Sequence, residues 1–244
     1  MADSFQPPHR SAVIILIPAK NEAANVGQVI AEVREVFAGK ILVIDDASTD
    51  HTAQVARQAG ADVVSLCASL GAWGAMQTGL RYAQRHGYQL AITMDADGQH
   101  EAASLLALQM PVLSGEADVV IGACPQRGSG ARQLAWALFR LLAGITLEDL
   151  TSGLRAYGKP AIQLLASPRA TLLDYQDLGV LLLLHGEGLR IQETPISMRV
   201  RLSGQSRIFG SWWAVARYML YTITLCVARG QHLPIIKPRH RTPS

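Results

Sequence analysis

From residue 13 to residue 121 the chain alternates short aliphatic runs with longer stretches whose apolar residues recur at helical spacing. The runs are Val13 to Ile17, Ile41 to Ile44, Asp62 to Ser65, Leu90 to Met94 and Asp118 to Ile121. Each is short and rich in Val and Ile, as suits a strand covered on both faces. Between them the spacing predicts helices over Ala23 to Phe37, His51 to Gln58, Leu70 to Arg85 and Glu101 to Leu113. Val26, Val29, Ile30 and Val33 form the apolar face of the first. Gly39, Gly60 and Gly87 punctuate the ends. Repeated β-α-β alternation with short connections predicts an α/β fold, a mostly parallel sheet with helices on both faces.

The alternation weakens after Gly122. Residues 124 to 132 read as a Gly-, Pro- and Ser-rich loop, and Gln133 to Ala143 as an amphipathic helix. Asp149 to Arg155 (DLTSGLR) is polar and glycine-bearing, like a loop that serves a site. A helix is expected over Leu172 to His185 and a short strand over Leu189 to Glu193. Met198 to Arg207 is basic and glycine-bearing. The resulting plan is a disordered leader (1–11), a single α/β domain (12–208), an apolar helix (209–229) and a basic tail (230–244).

With 244 residues, 49% of them hydrophobic, the chain has enough for one substantial core or two small ones. The net charge of +3 comes partly from the tail Lys237 to Arg241, so it argues for no nucleic-acid partner. Cys67, Cys124 and Cys226 show neither metal-ligand spacing nor a disulfide framework, which points to a reducing compartment. The first eleven residues carry no apolar signal segment, and no run of ~20 apolar residues predicts a membrane span. The apolar stretch Phe209 to Val227 holds Trp212, Trp213, Tyr218 and Tyr221 around Arg217. Such a helix suits a membrane interface, and equally a core or a dimer contact.

Polar residues follow four of the predicted strands, at the end of a parallel sheet where ligands bind. The richest is Met94 to His100 (MDADGQH). If the strand runs on, Asp95 and Asp97 point the same way, because residues two apart share a face. Two hard oxygen donors there suit Mg²⁺ or Mn²⁺ with diphosphate oxygens completing the shell. A bare Asp-x-Asp also suits a loop opening that caps the next helix. Asp45 and Asp46 follow the second strand, where a carboxylate accepts from a base or a ribose. Pro18 to Glu22 follows the first and is placed to line a nucleotide. Gly71 and Gly74 would admit close backbone approach.

Taken in order, IPAKNEAANV at Ile17 to Val26, VIDDASTD at Val43 to Asp50, MDADGQH at Met94 to His100 and DLTSGLRAY at Asp149 to Tyr157 resemble family 2 glycosyltransferases. The likeness is to the branch of dolichyl-phosphate mannose synthase and bacterial polyprenyl-phosphate glycosyltransferases, over roughly residues 12 to 210. It implies a Rossmann-like GT-A fold, a nucleotide-diphosphate sugar donor and a polyprenyl-phosphate acceptor at the cytoplasmic face of a membrane. It places Pro18, Ala19, Glu22, Asp46, Gly71, Asp95 and Ala96 around the nucleotide. Asp95, Asp97 and Gln99 match the cation site. Arg201 and Ser206 match an Arg-x-x-Gly-x-Ser loop at the donor phosphates, with Arg132 and Arg155 as further phosphate contacts.

Inverting transfer puts the attacking oxygen opposite a departing diphosphate. A phosphate oxygen is already ionised, whereas a hydroxyl needs a base. Asp149 is the first candidate base and Asp177 the second; an ion pair with Arg155 is the alternative for Asp149. Gly122-Ala123-Cys124 stands where relatives often carry Gly-Ser-Arg, with Arg127 a candidate substitute. Trp73 replaces a small or basic residue in the glycine segment. A saccharide hydroxyl acceptor and a non-catalytic nucleotide binder are the rival readings. An Asp-x-Asp phosphatase is disfavoured, since its acid pair would follow the first strand.

Overall fold

A computed structural model of the chain describes residues 12–124, 147–171, 173 and 178–199. The expected helices over 133–143 and 209–227 lie outside the described residues, as does all but the start of the basic segment at 198–207.

The strands form where the aliphatic runs predict them: β1 (Val13–Ala19), β2 (Lys40–Asp45), β3 (Asp62–Ser65), β4 (Leu90–Thr93), β5 (Val119–Ala123) and β7 (Ile191–Pro195). The helices are α1 (Val26–Val36), α2 (Thr52–Gln58), α3 (Gly71–Arg85), α4 (Ser104–Leu113), α5 (Lys159–Ala166) and α6 (Leu178–Gly186). Strand β6 (Arg155–Gly158) completes a seven-stranded sheet of order β3-β2-β1-β4-β6-β5-β7. It runs antiparallel to both of its neighbours, and the other pairings are parallel.

Alternate residues of β1 serve two cores. Ile14 and Leu16 belong to the core that α3, α5 and α6 share on one face, while Val13, Ile15 and Ile17 belong to the core that α1 and α4 share on the other. This period-two division is what a doubly covered strand requires. Gly79 lets α3 lie close on the sheet, since a Cβ there would stand 2.9 Å from Ile44 Cδ1 and 3.2 Å from Leu16 Cδ1.

Three expectations change. The site loop expected over Asp149 to Arg155 stops short of its last residue: Arg155 opens a fully buried central strand and pairs with Thr93. Helix α1 starts at Val26, not Ala23, because Asn21 takes a left-handed φ of 53° and Glu22 O accepts from Asn25 and Val26 N–H in a preceding turn. Within the described residues, Leu173 lies outside the helix expected from Leu172, and α6 is recorded from Leu178.

Strand order reverses between the parallel strands β1 and β4: β1 leads outward to β2 and β3, and β4 lies on its other side. Such a switch point opens a crevice at the strand ends, where α/β proteins bind ligands. Ala19 ends β1 beside Asp45, and Met94 N–H donates to Leu16 O at 3.0 Å. The first two motif loops and the Asp-x-Asp loop therefore border one crevice.

Candidate active site

The Pro18–Glu22 and Asp45–Thr52 loops are tied to each other. Asn21 N–H donates to Ser48 Oγ at 2.9 Å, Thr49 N–H to Asn21 Oδ1 at 2.8 Å and Glu22 N–H to Thr52 Oγ1 at 2.8 Å. Asp50 braces the join. Burial opposes its charge, but bonds from the Thr52 side chain and backbone and from Ala23 N–H hold its carboxyl below the ordinary range. Pro18 is half-buried and Ala19 buried, while Glu22 Oε2 accepts from Asn25 Nδ2.

Asp46, assigned to the base by resemblance, is buried and acts as a pillar for the next loop. Its carboxylate accepts from Ser69 Oγ at 2.7 Å, Leu70 N at 2.6 Å and Gly71 N at 3.1 Å. An anionic acceptor at a helix N-terminus satisfies orphan donors and complements the dipole, here that of α3. Lys20 Nζ also reaches Ser69 Oγ, at 2.7 Å. Gly71 has a positive φ of 76° and is exposed. Trp73 is buried, and its indole donates to Ala170 O, in the turn beyond α5, at 2.8 Å, so its bulk serves the core.

The Asp-x-Asp residues stand beyond the strand, in a turn. Strand β4 stops at Thr93, and Gly98 reverses the chain with φ 75°. The two acids therefore do not share a strand face as extended backbone would have given. Asp95 keeps 42% of its side chain exposed, whereas Asp97 is buried and accepts Gln99 N–H at 3.1 Å. Ala96 between them is buried. His100 Nε2 lies 3.2 Å from Asp95 Oδ2. Among the described residues no three His, Cys, Asp or Glu side chains gather as a self-sufficient metal cage. Mg²⁺- or Mn²⁺-diphosphate chemistry asks only one or two carboxylates of a protein, with substrate phosphates sharing the ion. Asp95 and Asp97 are the carboxylates that could serve it.

The loop before β6 closes another side. Thr93 Oγ1 donates to Gly153 O at 2.8 Å, and a Cβ on Gly153 would stand 2.2 Å from Asp95 Oδ2. Asp149 is fully buried: its oxygens accept Cys124 N–H at 3.2 Å and Thr151 N–H at 3.1 Å. Glu193 of β7 accepts the N–H groups of Glu148 and Asp149. Burial pushes the Glu193 carboxyl above its ordinary range, against those N–H bonds, with the neighbouring Glu148 and Asp149 charges adding to the rise. Arg155, expected at a phosphate, has no exposed surface. Its Nε donates to Ser152 O at 2.9 Å and its Nη2 to Leu150 O at 2.8 Å, so it anchors this loop from beneath. Arg132, Asp177, Arg201 and Ser206 lie outside the described residues.

Several site residues carried little sequence signal. Ser69 acts through its hydroxyl on Asp46, Glu193 through bonds from backbone N–H groups and Gly153 through close approach. Arg199 fixes the chain just before the expected phosphate loop: its N–H donates to Gln99 O at 2.8 Å and its Nη1 reaches Glu32 at 2.8 Å.

A switch-point crevice bordered by a buried carboxylate, a second carboxylate pair and linked loops is where an α/β protein of this topology binds a ligand. The chain belongs to glycosyl transferase family 2, whose model matches residues 14–165, and is a transferase dependent on a nucleotide-sugar donor. It is similar to an undecaprenyl-phosphate mannosyltransferase of Micrococcus luteus, 29% identical over 81% of this chain and 88% of that one. It is also similar to a polyprenol monophosphomannose synthase of Mycolicibacterium smegmatis, 29% identical over 85% and 84%. The fold matches glucosyl-3-phosphoglycerate synthase of Mycobacterium tuberculosis, solved with Mn²⁺, uridine diphosphate and glucosyl-3-phosphoglycerate. That match has a TM-score of 0.69 at 23% identity over 90% of this chain and 81% of that one.

Proposed function

We propose that this chain is an inverting glycosyltransferase that moves a sugar from a nucleotide diphosphate to a polyprenyl phosphate, with Mg²⁺ or Mn²⁺ held by Asp95 and Asp97. The observation that carries the acceptor is the likeness, over more than four fifths of each chain, to two proteins named for transfer to polyprenyl phosphates. The crevice supports the donor half of the reading. Pro18, Ala19 and Glu22 line one wall, and Asp46 with Gly71 sets the loop beyond it.

A cation held by the two carboxylates would neutralise charge on the departing diphosphate. Gln99 contributes through its backbone, whose N–H steadies Asp97. Arg132, Arg201 and Ser206 are the proposed phosphate ligands on sequence grounds. Asp149, fully buried and occupied by backbone donors, shapes the acceptor-side loop; a phosphate acceptor needs no proton removed. Asp177 is the alternative base should the acceptor be a hydroxyl.

No helix among the described residues is long and apolar enough to cross a membrane. Contact with the lipid surface that carries the acceptor falls to the segment 209–227, on the cytoplasmic face. The test incubates the full chain with labelled GDP- and UDP-sugars, Mn²⁺ and undecaprenyl phosphate, then counts solvent-extractable label. Label in an acid-labile lipid product is the expected result. Label passing only to water-soluble saccharides would overturn the acceptor assignment.

A further inference from the structure

Asp95 is the more exposed acid of the pair, yet the buried His100 and the half-buried Gly153 both hold it. The His100 side chain has no exposed surface, and its Nε2 meets Asp95 Oδ2 at 3.2 Å. A carboxylate only accepts, so Nε2 carries the proton. The other ring nitrogen, Nδ1, is buried without a hydrogen-bond partner. Burying an unpaired polar nitrogen costs stability. A leucine would fill the same space without that cost, so the imidazole's one bond, to Asp95, is what distinguishes it there.

The backbone that carries the ring is held independently of that bond. His100 pairs with Met198 as an antiparallel bridge, and the next residue, Arg199, donates its N–H to Gln99 O. Arg199 is itself fastened by its guanidinium to Glu32 on α1. The second grip is Gly153. A Cβ there would stand 2.2 Å from Asp95 Oδ2 and 2.5 Å from both Cγ and Oδ1. The whole carboxylate therefore lies against the Gly153 α-carbon, and the Thr93 hydroxyl fixes that stretch of backbone to β4.

We propose that His100 and Gly153 are positioning residues that hold the Asp95 carboxylate in the one orientation in which it ligates a divalent cation. The inference rests on the assignment of Asp95 and Asp97 as the cation site. His100 acts through Asp95, since its side chain has no exposed surface of its own. One N–H on Oδ2 fixes the side-chain torsion while the carboxylate keeps lone pairs for the ion. Glycine is needed at 153 because any side chain would displace that carboxylate. Groups that hold a metal ligand in this way typically contribute about 10- to 100-fold to metal affinity.

The test reads metal binding without turnover. Mn²⁺ is titrated into the full chain, alone and with GDP or UDP, and free Mn²⁺ is followed by electron paramagnetic resonance. His100→Phe keeps bulk and loses the donor, His100→Gln keeps a donor, and Gly153→Ala crowds the carboxylate from the other contact. Thermal melts run beside each titration. Mn²⁺ affinity should fall roughly tenfold or more in His100→Phe and Gly153→Ala, and His100→Gln should recover most of the loss. Wild-type Mn²⁺ affinity in folded Gly153→Ala, or equal weakening in His100→Gln and His100→Phe, overturns the positioning role. Should His100→Phe not fold, the Gly153→Ala and His100→Gln titrations decide. Absence of Mn²⁺ binding in the wild type overturns the cation-site assignment itself, a distinct outcome.

Discussion

Removing the Asp46 carboxylate should loosen the start of α3 before it touches any chemistry. Three donors converge on Asp46: Ser69 Oγ at 2.7 Å, Leu70 N at 2.6 Å and Gly71 N at 3.1 Å. In Asp46→Ala the hydroxyl can turn to water, so its loss costs little. The two backbone N–H groups have no such freedom, and each unsatisfied donor in a partly buried place costs about 1–2 kcal/mol. The sum is about 3 kcal/mol, which for a chain of this size lowers the melting temperature by roughly 6–12 °C. Asp46→Asn should fall between, because Leu70 and Gly71 bond different oxygens and an amide offers one. Urea unfolding followed by circular dichroism, with unchanged slope, gives the values. The same variants are then titrated with GDP and UDP. Stability of Asp46→Ala within about 0.5 kcal/mol of wild type would refute the pillar role. Loss of nucleotide binding at unchanged stability would assign Asp46 to the base alone.

Gly79→Val should destabilise by about 2–3 kcal/mol in urea melts, because the added groups collide with Ile44 and Leu16 beneath α3. Trp73→Phe should cost about 2–3 kcal/mol by removing the indole bond to Ala170 O from a buried site, with nucleotide affinity unchanged. Bonds from Arg190, opposed by partial burial, hold the Asp118 carboxyl below its ordinary value of 3.8. A lowered folded-state value means that this stabilisation is complete above that pH and is lost as the pH falls through the folded value. Asp118→Asn should therefore lower stability by under about 1 kcal/mol at neutral pH, with the gap to wild type closing in acid melts.

The sheet's frame is legible in the sequence because parallel strands buried on both faces are spelled as short Val- and Ile-rich runs. Val13, Ile15 and Ile17 against Ile14 and Leu16 need no further cue. Strand β6 is not legible: Arg-Ala-Tyr-Gly has no aliphatic run, and its burial comes from insertion between β4 and β5. The same insertion misleads the chemistry, since an arginine beside a polar loop reads as a phosphate ligand until its strand is known to be central. The motif loops are legible as segments that follow neighbouring strands, but the direction of each acid is not. Asp95 and Asp97 sit in a turn whose shape depends on Gly98, and Asp149 is drawn inward by the N–H of Cys124, a contact between distant segments. Grips of the His100 and Gly153 kind arise from tertiary approach and leave no local pattern.

Isothermal titration of the wild type and Asp97→Ala with GDP, UDP and their sugar conjugates, each with and without Mn²⁺, tests the central claim most directly. A crevice in which Asp95 and Asp97 share a cation with the donor diphosphate predicts binding of one nucleotide that strengthens with Mn²⁺ in the wild type and loses that response in Asp97→Ala. Nucleotide binding that ignores Mn²⁺, or an Mn²⁺ response that survives in Asp97→Ala, would contradict it.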